Sequence, residues 1–195
     1  MSKKNATAKL KEVLQALPLQ QDASREKLIS DIQEKDSVYW TRKAEQHMLN
    51  LFRSAAASVP AYRAFLRDHK IHVNDIKSYK DLQMVPPIDK NNYLRKYKIA
   101  DRSWGKNIVD PLVFTSTSGS TGDPVYFSRS RLIDLQSSII HELYLRNSGF
   151  NPKKPTLIVV CFGMGVWIGG LITYQAFEIV SRRSQPLSII TPGIN

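Results

Sequence analysis

The chain has 195 residues, enough to bury a core, and its 42% hydrophobic and 23% charged content is that of an ordinary globular protein. Its formal net charge of +11 suits polyanionic partners without choosing among nucleic acid, an anionic membrane and nucleotide phosphates. The basic residues are scattered with no run of five, which weighs against a dedicated nucleic-acid surface. The single cysteine, Cys161, excludes an internal disulfide; it lies in an apolar run and is expected to be a buried small hydrophobe in a reducing, cytoplasmic setting. The start, Met1-Ser2-Lys3-Lys4-Asn5, leads into a polar segment without the apolar core of a secretion signal.

Residues 1–37 are expected to form a helical extension. Leu10, Val13, Leu14 and Leu17 stand at helical spacing before Pro18, and Leu28 and Ile32 mark a second helix. From Val38 the apolar positions Trp40, Ala44, Met48, Leu51, Phe52 and Ala55 predict one core-facing side of a helix ending near Ser58, before Pro60. A shorter helix with Tyr62, Phe65 and Leu66 follows. Ser78 and Asp81 are placed to begin another, and Asp89 to cap one through Tyr93 and Leu94. His69 and His72 read as surface residues, because no further His, Cys or carboxylate completes a metal set.

Pro111-Leu112-Val113-Phe114 and Val125-Tyr126-Phe127 read as strands. Between them runs Thr115-Ser116-Thr117-Ser118-Gly119-Ser120-Thr121-Gly122-Asp123-Pro124. Gly119 and Gly122 let successive N–H groups turn toward one anion, and the hydroxyls add uncharged hydrogen bonds. A flexible Ser/Thr/Gly linker has the same composition, but a strand on each side is a stiffer frame than a linker needs. The loop is not a Walker A motif, a dinucleotide fingerprint or a nucleophile elbow.

Downstream, Leu132, Leu135, Ile139, Ile140, Leu143 and Tyr144 are expected on one face of a helix over Arg131–Asn147, with Gly149 as its stop. Thr156 to Cys161 is a continuous apolar run of the kind found in parallel strands buried on both faces. Glycines at 163, 165, 169 and 170 come next, then helix through Phe177 and a strand over Leu187–Thr191. Strands alternating with helices predict an α/β fold: a helical N-terminal region, then the start of a mixed or parallel sheet with crossover helices. Thr156 to Phe177 is also 22 residues without a charge, long enough for a membrane span, with Gly165 and Gly169 as a GxxxG pair. Its β-branched start, its glycines, Thr173 and Gln175 oppose that reading, and no stable membrane insertion is expected.

Thr117 to Pro124 resembles the phosphate loop of the adenylate-forming enzymes, the acyl-CoA synthetase and luciferase superfamily, at every defined position. The phenylacetate-CoA ligase branch is the nearest likeness. Val59-Pro60-Ala61-Tyr62-Arg63, Asp81-Leu82, Pro87, Lys90 and Tyr93 look like its N-terminal series, and Gly163 to Gly170 is similar to its Gly-x-Gly-Leu-Phe-x-Gly-Gly segment. Val125 stands where many superfamily members carry Lys, a change common in that branch.

The resemblance implies that residues 38–195 are part of an ATP-binding N-terminal domain of an AMP-forming acyl or aryl acid ligase. A carboxylate would attack the α-phosphate of ATP, releasing pyrophosphate, and a thiol, usually that of CoA, would then displace AMP. It assigns Thr117, Ser118, Gly119, Ser120, Thr121 and Gly122 to the ATP phosphates, with Mg²⁺ on phosphate oxygens and no protein metal site. Gly165, Trp167, Gly169 and Gly170 are assigned to the acyl or CoA pocket, and the partners are a small carboxylic acid, ATP and CoA. The family's catalytic Lys and Glu have no counterpart in these residues, so the chain is expected to be an N-terminal portion that cannot complete adenylation alone. The alternative is a non-catalytic nucleotide- or anion-binding module, or a basic nucleic-acid-binding one.

Overall fold

A computed structural model describes residues 22–106, 108, 112–117, 123–183 and 186–193, and the chain divides into two compact units at 110/111. The expected helix at Leu10 to Leu17 lies outside the described residues.

In the first unit, α1 (Asp22–Glu34) is followed by α2 (Ser37–Ser58), and Asp36 caps α2 by accepting from the Tyr39 amide at 2.8 Å. The break at Val59-Pro60 starts α3 (Pro60–Asp68), where proline suits the first turn because the N–H it lacks has no helical partner there. Arg63 then reaches back and donates Nε to the Ala56 carbonyl at 3.2 Å and Nη2 to that of Ala57. A fork-shaped cation thus satisfies two carbonyls at the negative end of α2, which fixes the corner between the helices.

The first unit's core consists of Phe52, Ala56, Leu66 and Ile76, with a second cluster of Ala61, Phe65 and Tyr93 linked through Tyr62 and Val85. Phe65 and Tyr93 meet edge to face at 5.7 Å. As expected, Asp81 begins the short helix Tyr79–Met84, its carboxylate accepting from the Ser78 and Lys77 amides at 2.7 and 3.0 Å. Asp89 caps Lys90–Leu94 from the position before it, its carboxylate accepting from the Asn91 and Asn92 amides, each at 2.7 Å. His69 and His72 are exposed.

The expected core face of α2 is corrected. Leu49, Phe52 and Ala56 carry the packing, whereas Ala44, Met48 and Leu51 stay exposed, Leu51 at 56%. The helix carries two apolar stripes that share Phe52, and the elements after Pro60 cover only one of them.

The second unit opens with an antiparallel hairpin, β1 (Leu112–Ser116) and β2 (Tyr126–Ser130), paired from Leu112 with Ser130 to Ser116 with Tyr126. Helix α4 (Arg131–Asn147) follows, and Gly149 ends it with φ +75°, a left-handed angle that favours glycine. Then β3 (Thr156–Val159), α5 (Ile168–Ser181) and β4 (Leu187–Ile190) form a helix-connected parallel pair. The fold is mixed α/β, with one antiparallel and one parallel pair among the described residues. Leu145, Val160, Phe177 and Val180 form its core with Ile158, Leu187 and Ile189.

Three expectations are corrected here. The β3 run is covered on one face only, with Leu157 at 61% and Val159 at 49% exposed, because α5 packs on the side of Ile158. Cys161 is exposed: the strand ends at Val159 and Val160 alone turns inward. On α4, Ile140 and Tyr144 face solvent, while Asp134, Ser138, Ile139, Glu142 and Leu145 are buried. The buried acids are paired. Arg129 Nε donates to Asp134 at 2.6 Å, and Glu142 accepts from Arg146 at 2.7 Å and from Arg183 at 2.9 Å. Arg183, two residues beyond α5, also donates to Ser138 at 2.9 Å, so α4 is tied through charge to the chain that leaves α5. Hydrophobic spacing alone cannot register a side that is buried because its ions are matched.

Among the described residues, no helix is long and apolar enough to cross a membrane. The uncharged stretch divides into a strand, a turn region and the start of α5.

Candidate functional site

The expected phosphate-holding residues Ser118, Gly119, Ser120, Thr121 and Gly122 lie outside the described residues; Thr117 and the two strands that carry the loop are described. At its root the Thr117 amide donates to the Val125 carbonyl at 3.1 Å, and the Val125 amide donates to Thr117 Oγ1 at 3.2 Å. One residue therefore closes the loop with both backbone and side chain. Because that hydroxyl accepts from Val125, its own proton remains available to donate. Val125, at the position where a lysine is common in the resembled family, is a buried apolar residue at this root.

Strand β1 has a second neighbour. The Ser116 amide donates to the Val166 carbonyl at 2.7 Å, and Ser116 and Trp167 form a parallel bridge. The glycine segment Gly163 to Gly170 is thereby held beside the root of the loop, and two stretches that the sequence singled out separately stand together.

Within that segment each residue has a distinct task. Gly165 turns the chain with φ +91°. Trp167 precedes α5 and offers no side-chain cap, and the first helical bond runs from the Leu171 amide to the Trp167 carbonyl at 3.2 Å. No side chain among the described residues caps this helix start, and the amides of Gly169 and Gly170 stand in its first turn, a place whose partial positive charge favours anions. Gly170 packs so tightly that a β-carbon there would stand 2.3 Å from the Gly163 carbonyl oxygen. At Gly169 the nearest atom to an added β-carbon is Phe162 Cδ1, at 3.8 Å, so that position tolerates a methyl group. Phe162, Val166, Trp167 and Ile168 present exposed apolar surface around the turn.

The frame below the loop is buried and ion-paired. Thr115 and Ser116 are buried in β1, and the buried Arg129–Asp134 pair joins the end of β2 to the first turn of α4. Two expected loop residues are corrected: Thr115 and Ser116 are buried in β1, where the strand continues two residues past Phe114. Sequence reasoning gave no role to the Ser116 and Val166 backbone groups and missed Arg129. The first two act through backbone groups, which leave no mark in side-chain pattern; the third was readable only as an Arg five residues before an Asp across a strand-to-helix junction. Among the described residues, no group of three or more His, Cys, Asp or Glu is arranged to hold a metal ion.

No family model matches this chain, and no curated protein matches it.

Proposed function

We propose that the chain is the nucleotide-holding N-terminal portion of an ATP-dependent, AMP-forming acyl or aryl acid-CoA ligase of the phenylacetate-CoA ligase kind. The observation that carries this reading is the junction at Ser116, where the root of a hydroxyl-rich loop and the uncapped start of α5 are bound side by side. Polyphosphate asks for such a place: many N–H and O–H donors in a stiff frame, where positioning and charge stabilisation do the catalytic work. Thr117 Oγ1 and the residues of the 118–122 loop would take the β- and γ-phosphates, with Mg²⁺ on the phosphate oxygens. The apolar surface of Phe162, Val166 and Trp167 suits an acyl or aryl group beside them.

Hydrogen exchange on the full chain, with and without Mg·ATP, tests the proposal. Protection of residues 115–126 by ATP, lost in Gly119→Val, is the expected result. Absence of protection, or protection that survives the substitution, overturns it. Salt-sensitive binding of DNA or RNA that is indifferent to Gly119→Val would instead favour a basic nucleic-acid-binding module.

A further inference from the structure

Strand alternation puts Val113 and Thr115 of β1 on one face of the hairpin with Phe127 and Arg129 of β2, since Thr115 pairs with Phe127 and Val113 with Arg129. Thr115 and Arg129 are therefore diagonal neighbours on that face, a relation that sets the roots of two side chains about 7 Å apart. Both residues are buried, Thr115 at 0% and Arg129 at 3% exposure. Asp134 takes up the Nε of Arg129, but Nη1 has no hydrogen-bond partner among the described residues, and neither has Thr115 Oγ1. One sheet face thus seals from solvent a guanidinium donor and a hydroxyl that can both donate and accept. Burying such atoms without partners is costly, and proteins answer that cost with bound water or ions.

We propose that Thr115 Oγ1 and Arg129 Nη1 hold one buried water molecule between them. Water is the ligand whose chemistry fits both atoms: its oxygen accepts from the guanidinium N–H, and one of its protons is donated to the threonine oxygen. A water bridge spans about 5–6 Å between the atoms it joins, which suits diagonal neighbours across a strand pair. An anion does not fit, because the buried Asp134 carboxylate already matches the Arg129 charge at 2.6 Å and a second negative charge there would be unmatched. A cation does not fit beside a guanidinium, which repels it. The water ties β1, one residue before the Ser116 junction, to the ion pair that joins the end of β2 to the first turn of α4.

The test is magnetic relaxation dispersion of the water signal, which counts long-lived internal waters, on the full chain and on its Thr115→Val and Thr115→Ser variants. Valine copies the shape of threonine without its hydroxyl, whereas serine keeps the hydroxyl without the methyl group. The expected result is one fewer long-lived water in Thr115→Val and the wild-type number in Thr115→Ser. An unchanged count in Thr115→Val, or the same loss in both variants, overturns the inference. Should Thr115→Val fail to fold, the wild-type chain decides: cross-relaxation is expected between a long-lived water and the Thr115 methyl group, and its absence overturns the inference as well.

Discussion

Ser116 donates its backbone N–H to the Val166 carbonyl at 2.7 Å, and this contact makes one place of two distant stretches of chain. It joins the strand that delivers the hydroxyl-rich loop to the turn that opens α5. Packing at that turn therefore bears directly on the loop's surroundings.

The glycines at the start of α5 differ sharply in what they tolerate. Gly170→Ala would drive a β-carbon against the Gly163 carbonyl oxygen and the Met164 sulfur, and backbone must move to relieve the contact. The expected loss is about 1–3 kcal/mol. Gly169→Ala finds ordinary contact and replaces glycine in a helix, so it is expected to be neutral or to gain up to about 1 kcal/mol. Urea unfolding of the two variants checks the opposite signs.

The Arg129–Asp134 pair is buried on both sides at 2.6 Å. Arg129→Met alone strands a carboxylate and is expected to cost about 3–5 kcal/mol. Adding Asp134→Leu removes the stranded charge and is expected to recover most of that loss. A double-mutant cycle by chemical denaturation measures the coupling. Two single losses that simply add would show that the pair does not act as a unit.

Ionisation in the first unit gives a test at each end of the pH scale. Burial, opposed by the nearby Arg102 charge, pushes the Tyr93 phenol up to about 12. Its folded pKa is raised, so its contribution to stability is complete below about 10 and is lost as pH climbs from there through about 12. Absorbance titration at 295 nm should find this phenol late in the folded protein and ordinary in urea. At the acid end, the hydrogen bond from Lys96, with that of Tyr97 and the Lys96 and Arg67 charges assisting, holds the Asp68 carboxyl below its usual range. That contribution is present above the ordinary carboxylate pKa and fades as pH falls through the depressed one. Lys96→Met should return Asp68 toward the usual value in an NMR titration.

Much of the architecture was legible because local chemistry wrote it. Asp89 and Ser78/Asp81 marked helix starts, Gly149 a stop, and Pro60 a break; the strands on either side of the loop stand where β-branched and aromatic residues put them. What stayed hidden was the choice among apolar faces. Met48 and Leu51 repeat as regularly as Phe52 and Ala56, and only tertiary packing decides which stripe is covered. On α4 the error ran the other way, because Glu142 and Asp134 read as solvent-facing until their arginine partners from other elements are known. At the candidate site, Thr117 and Trp167 were legible as residues, whereas the Ser116–Val166 contact that places them together is pure backbone.

The double closure between Thr117 and Val125 separates the size of the loop from the register of the strands beneath it. Insertions between 118 and 122 can lengthen the enclosed arc while every cross-strand pair from Leu112 to Ser130 keeps its partner. A single-residue deletion inside β1 has the opposite result, because strand faces alternate and Thr115, now sealed inside, would exchange places with an outward neighbour. Length variation among relatives of this chain should therefore gather above that closure and be absent below it.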